Sequence, residues 1–190
     1  WVVYFAAYRK SEDMYKREEV ESSADMVVWS VDSGDLIPTN PNRPQDRSFR
    51  GNIVQAMQAY SQGQLGETTV PLCEIDHMIV IGSDRMMAAV KNARKTTLVS
   101  QLRPDHVAIG SINSPMQCMM KEVCAQCLQK HIDPTTGKES FVFSCFNQDQ
   151  PLDLVDFTSL NDRLRANSLQ EKLSNLWLDY LLNKKQVMLI

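Results

Sequence analysis

An α/β fold is the class this sequence predicts, with a parallel sheet flanked by helices, then a small cysteine-rich β subdomain and C-terminal helices. Two observations carry that reading. Four continuous apolar runs rich in β-branched residues, WVVYFAAY (1–8), MVVWSV (26–31), MIVIG (78–82) and VAIGSI (107–112), are separated by segments with helical signals. Continuous rather than alternating hydrophobicity is what strands buried on both faces need, and helices covering a parallel sheet supply that burial. Past residue 113 the pattern breaks into short segments that hold four of the five cysteines.

Taken in order, the runs are introduced by polar turns: Asp25, Asp76 and Asp105 stand just before the second, third and fourth. Between the first two, SEDMYKREEVESS is long enough for a crossover helix, with Ser11 as its N-cap and Glu12 and Asp13 at the positive helix end. The Pro- and Asn-rich DLIPTNPNRPQDRS reads as a long loop, and FRGNIVQAMQAYSQ as a helix with Ile53, Met57 and Tyr60 on one face. After the third run, Ser83 or Asp84 caps RMMAAVKNARK, whose Lys91, Arg94 and Lys95 sit near the negative end. Further on, HIDPTTGK is a turn leading into the strand ESFVFSCF. The ending is helical: Ser168 and Glu171 match a capping box, and Leu169, Leu173, Leu176, Trp177, Tyr180 and Leu181 form one apolar stripe. The expected domains are 1–112, 113–157 and 158–190.

At 190 residues, with 43% hydrophobic and 23% charged, the chain has the composition of a globular protein able to bury its own core. A net charge of −3 and a pI near 5.6 give no electrostatic footprint for nucleic acid or an anionic membrane. No apolar run approaches the ~20 residues of a membrane helix. The odd cysteine count fits a reducing compartment, so a cytoplasmic location is expected. A start without methionine, directly inside an apolar segment, suggests a part of a longer polypeptide.

Chemistry concentrates in CMMKEVCAQC (118–127) and in Cys145, a C-x5-C-x2-C-x17-C spacing. A C-x2-C pair places two sulfurs on one metal centre, and two further thiolates complete a four-cysteine shell for zinc or an iron–sulfur cluster; thiolate softness selects these over magnesium or calcium. The alternatives are buried inert thiols, a disulfide, or a thiol–disulfide switch at Cys124 and Cys127. Spacing alone leaves zinc and iron open, although one knuckle plus two single cysteines is closer to the C-x4-C-x2-C…C run of plant-type [2Fe–2S] proteins, with one residue inserted. Cys73 reads as an inert thiol. His77 and His106 begin strands and His131 begins a turn, which suits surface or cap roles. No hydrolytic constellation or P-loop stands out, and no G-x-G-x-x-G occurs.

With the strands placed, the chain resembles the C-terminal half of the ferredoxin–NADP reductase superfamily, above all the electron-transfer subunit of dihydroorotate dehydrogenase B and its relatives among sulfide dehydrogenases, ferredoxin:NADP oxidoreductases and glutamate-synthase small-chain fusions. The segments that carry the resemblance are FAAYRKSEDM, WSVDSG, VIGSDRMMAAV, the cysteine run beginning SINSPMQC, and PLDLVDF. The resemblance implies a Rossmann-like NAD(P)-binding domain lacking its first strand, followed by a small [2Fe–2S] subdomain. It implies electron transfer among NAD(P)H, an FAD held mainly by an N-terminal domain of the same chain, and a [2Fe–2S] cluster on Cys118, Cys124, Cys127 and Cys145. A catalytic partner subunit or fused domain would take the electrons, and residues 1–190 alone would be inactive as a reductase. Carried over by position, Arg9, with Lys10, meets the adenosine phosphate, Ser33 and Gly34 line the nucleotide loop, and Gly82 and Met86 lie near the nicotinamide. A structural zinc site in a non-catalytic scaffold is the rival expectation. The loop MMKEV contains no glycine, so it is expected to offer the sulfurs fewer backbone N–H groups than the related loops do.

Overall fold

The computed structural model of the chain describes residues 1–68, 70–112 and 118–184. The expected beginning of the cysteine segment, 113–117, and the last residues of the expected C-terminal helical segment, 185–190, lie outside the described residues. The fold is mixed α/β, with parallel strands and several helices. It divides into two compact units: Trp1–Val80 with Met86–Ala108, and Ile81–Arg85 with the chain from Ile109 onward.

In the first unit, strands β1 (Val3–Tyr8), β2 (Met26–Val31) and β3 (Arg47–Arg50) form a parallel sheet in that order, with Val3 opposite Met26 and Val28 opposite Arg47. All six residues of the central β2 are buried, as a continuous apolar run requires. Trp29 and Val31 join Ala6 and Ile37 in one apolar cluster, while Met26 and Val28 pack with Tyr60 and Leu98 in another. Burial on both faces fails for β1 and for β4 (His77–Ile81), which leaves Ile79 and Ile81 66% and 69% exposed. Both strands stand at an end of their sheet's strand order, where fewer neighbours cover them.

The crossover after β1 also differs from expectation. Ser11 lies within a 3-10 turn, Ser11–Asp13, rather than capping a long helix. Helix α1 (Arg17–Ser23) starts only after Lys16, whose left-handed φ of 51° interrupts helical propagation. The expected long loop is ordered by arginines and ends in the unforeseen β3. Arg43 donates to the buried Asp46 carboxylate at 2.8 and 3.2 Å and to the Ala24 carbonyl, and Asp46 accepts from the Val27 N–H at 2.9 Å. Arg47 donates to the carbonyls of Pro44, Asp46, Leu65 and Glu67.

Helix α2 (Ile53–Ser61) follows its sequence signals. Asn52 and Gln55 form a reciprocal capping box, and Met57 and Tyr60 face the core, with the Tyr60 hydroxyl donating to the Val70 carbonyl at 2.6 Å. Helix α3 (Asp84–Lys95) buries Met87, Val90 and Ala93 and ends on Arg94 and Lys95, as expected for the helix dipole.

Strands β4, β5 (Val107–Ser111) and β8 (Asp149–Pro151) form a second sheet in that order, with β8 antiparallel to β5. In the second unit, β6 (Leu128–Ile132) and β7 (Glu139–Phe143) form an antiparallel hairpin. Its turn is built by Asp133, whose side chain accepts from the Thr135 and Thr136 N–H groups, and by Gly137 at φ 69°. Helix α4 (Phe157–Asn183) starts eleven residues before the expected capping box, on Asp156, whose carboxylate accepts from the Thr158 and Ser159 N–H groups. Ser168 sits mid-helix, its hydroxyl donating to the Arg165 carbonyl. An aspartate with two amide donors is the stronger cap, and the apolar stripe then falls on the distal half of the helix, where Leu169, Leu173, Leu176, Trp177 and Tyr180 are exposed.

Candidate functional site: a four-cysteine cluster

The β6–β7 hairpin dictates where two of the thiols meet. Leu128 stands opposite Phe143, so the next step outward sets Cys127 against Ser144, and the Ser144 N–H donates to the Cys127 carbonyl at 3.0 Å. This register brings the Cys127 and Cys145 sulfurs to 3.1 Å, although the residues are 18 apart in sequence. Ahead of the hairpin, the Leu128 N–H closes a turn onto the Ala125 carbonyl at 3.1 Å, which carries the chain from Cys124 round to Cys127. The other two thiols are joined by their loop, and the Cys124 side chain adds to the groups that favour the charged form of Cys118.

The glycine-free loop still places backbone N–H groups around Cys118. Backbone N–H groups, those of Cys124 and Val123 first, favour the charged form of the Cys118 sulfur, and the Lys121 N–H closes the loop onto the Cys118 carbonyl at 3.2 Å. Four residues of the segment that are not glycine adopt left-handed conformations: Met119, Met120, Glu122 and Ala125, with φ between 53° and 63°. Such a conformation costs an L residue about 1–2 kcal/mol, and strain of this kind concentrates at functional loops. A search for glycine therefore misses a loop in which other residues take glycine's conformation.

The two pairs differ electrostatically. Backbone N–H groups, led by that of Cys124, pull the Cys118 thiol down to about 6, so it is largely thiolate at neutral pH. Contact with Cys127, burial and the nearby charge of Cys118 push the Cys145 thiol up to about 11. Cys118 is thus ready to ligate a cation, whereas Cys145 gives up its proton only when a cation replaces it. All five cysteines are free thiols; Cys127 is buried, Cys118, Cys124 and Cys145 are half-buried, and the fifth, Cys73, is exposed. Among the described residues, no group of three or more His, Cys, Asp or Glu side chains closes on a single metal position.

Beneath the thiols lies a polar network. The His131 Nε2 donates to the Gln150 Oε1 at 2.7 Å, and the Gln150 amide donates to the Ser144 hydroxyl at 3.1 Å and to the Asn147 carbonyl at 2.9 Å. His131 is therefore a buried strand residue, in contrast to the turn role expected from sequence: it lies inside β6, where the period of two points it into the core. His77 is exposed, and His106 accepts from the Arg94 guanidinium at 2.7 Å.

The residues expected to contact a nucleotide are placed as follows. Arg9, Lys10, Ser33 and Gly34 are exposed beyond the C-terminal ends of β1 and β2, and the Ser33 N–H and hydroxyl both donate to the Arg9 carbonyl, at 3.0 and 3.3 Å. Gly34 adopts φ 82° with no atom within 4 Å of an added Cβ, so its glycine serves the turn. Gly82 follows β4 at φ 157°, and Met86 is half-buried in the first turn of α3. Asp84 is engaged by Asn161 of α4 at 2.5 Å. A surface concavity of about 260 Å³ in the first unit is lined by Phe49, Arg50, Gln55, Gln58, Ala59, Gln62 and Gln64, none of which the sequence singles out for binding. No described helix is long and apolar enough to cross a membrane.

No family model matches the chain. It is 52% identical over 67 residues, 35% of its length, to a protein of Rickettsia prowazekii (strain Madrid E) described only as uncharacterised. The matched segment spans 9% of that protein.

Proposed function

We propose that the chain is the electron-transfer module of a flavin-dependent NAD(P)H oxidoreductase, with a [2Fe–2S] cluster on Cys118, Cys124, Cys127 and Cys145. The observation that carries the reading is the contact of the Cys127 and Cys145 sulfurs, with Cys118 and Cys124 at the two ends of one short loop. Each iron of such a cluster takes two cysteine ligands, and two thiolates at about 2.3 Å on one tetrahedral centre lie about 3.8 Å apart. The Cys127–Cys145 separation of 3.1 Å is about 0.7 Å shorter than that, so ligation would spread the two sulfurs. The amides aimed at Cys118 suit a sulfur that carries charge in both redox states.

When bound, the cluster would supply one-electron storage. The residues of the chain hold it and set its charge environment, while Arg9, Lys10, Ser33 and Gly34, at strand ends of the first unit, offer positions for a pyridine nucleotide. FAD on an N-terminal domain and a catalytic partner complete the proposed path. Protein purified without oxygen is expected to be coloured and to contain iron and acid-labile sulfide in equal amounts. One zinc per chain, no sulfide and no colour would replace this reading with the scaffold alternative.

A further inference from the structure

Helix α4 reaches the cysteine segments through two side chains one turn apart. The Arg163 Nη1 donates to the Leu128 carbonyl at 3.1 Å and to the Ser144 hydroxyl at 3.3 Å. The Asn167 amide donates to the Gln126 carbonyl at 3.0 Å. Leu128 follows Cys127, Ser144 precedes Cys145 and Gln126 precedes Cys127, so all three contacts fall next to a ligand position. From residue spacing alone, α4 is an appendage; in the structure its proximal half is the floor of the thiol site.

We propose that Arg163 is the positioning and charge-compensating residue of this site. It ties the Cys127 segment to the Cys145 segment and sets a fixed positive charge beside the thiolates, which biases a bound cluster toward its reduced state. The proposal rests on the [2Fe–2S] reading for its redox consequence, though not for the geometry. Arg163 is half-buried, and burial works against its charge while the Cys127 sulfur supports it. A charge withdrawn from water is weakly screened, so its effect on neighbouring sulfurs exceeds that of a surface lysine. Guanidinium suits the position because one nitrogen, Nη1, reaches both acceptors while the charge stays fixed over the accessible pH range. One-electron reduction breaks no bond and adds one negative charge to the site, and that charge is what Arg163 stabilises.

The test uses the full chain, purified anaerobically, as wild type, R163Q, R163K and S144D. The last places a carboxylate against the guanidinium and neutralises it without removing it. Folding is checked by far-UV circular dichroism, and the reduced-to-oxidised ratio is read optically during a mediated dithionite titration. At a fixed ambient potential the ratio is expected to fall about tenfold in R163Q, a shift of about 59 mV for one electron. R163K should stay near wild type, and S144D should shift in the same direction as R163Q. Unchanged ratios in R163Q, or in S144D if R163Q does not fold, overturn the proposal. Should the wild type hold no iron and sulfide, the cluster reading fails, and Arg163 is judged by cobalt(II) titration of metal-free protein, followed by thiolate-to-cobalt absorbance. Ligation makes the site more negative, so about tenfold weaker cobalt binding in R163Q supports the arginine's role, and equal binding refutes it.

Discussion

The ionisation of Cys118 gives a sharp test of the loop geometry. Its thiol is held at about 6 by N–H groups led by that of Cys124, against an ordinary value of 9.0. At pH 7 the thiolate fraction is then about 90%, compared with about 1% for an unperturbed thiol of that ordinary value. The rate of alkylation rises by less than that ratio. Nucleophilicity falls with pKa with a Brønsted slope of about 0.4–0.5, so three pH units cost about twentyfold and leave a net gain of only a few-fold. The position of the pH profile is therefore the better readout than the rate at one pH. In metal-free protein, brief iodoacetamide pulses between pH 4 and 10, quantified on the Cys118 peptide by mass spectrometry, should show an inflection near 6 and a plateau above pH 7. C124S keeps the leading backbone donor and should move the inflection only slightly. An inflection between 8 and 9 in the wild type would mean that the N–H groups are not aimed at this sulfur. Linkage follows the same sign: a depressed folded pKa contributes stability above the ordinary thiol range, and that contribution is lost as pH falls through about 6. Cys145, raised to about 11, contributes below its ordinary value and loses that contribution as pH rises through 11.

Other substitutions separate the fold from the site. D46A removes the acceptor for the Val27 N–H and strands the Arg43 guanidinium, so urea unfolding should show a loss of about 3 kcal/mol or more. Y60F leaves the Val70 carbonyl without its 2.6 Å donor and should cost about 1–2 kcal/mol in the same assay. D156A removes the cap of α4 and should cost about 1 kcal/mol, with loss of helical ellipticity. E122G relieves a left-handed φ of 56° and is expected to stabilise the metal-free protein by up to about 1 kcal/mol in urea unfolding.

The elements that could be read from sequence are those whose signals are local. The capping residues and apolar face of α2 announce themselves within one helical turn, and Asp133 with Gly137 marks the hairpin turn. Strands β3 and β8 gave no such signal: β3 is two arginines flanking Ser48 and Phe49, and β8 is three residues ending in proline. Both are set by tertiary pairing rather than by propensity. The cysteine spacing pointed to a cluster but not to its pairing, since the contact between Cys127 and Cys145 follows from hairpin register. Arg163 was illegible for a related reason: an arginine in a helix ordinarily faces solvent, and only the packing of α4 reveals that this one meets Leu128 and Ser144. Asp156 lost out to the Ser168 and Glu171 pattern because a capping box is easily recognised, while a lone aspartate before Phe157 is not.

The central claim, that four thiols hold a two-iron relay, is most directly tested by low-temperature electron paramagnetic resonance of anaerobically purified protein before and after dithionite. A two-iron relay predicts a silent oxidised state and, on one-electron reduction, a half-integer-spin signal that integrates to one spin per cluster and disappears in C127S. A protein that is silent in both states, with zinc as its metal, would contradict it.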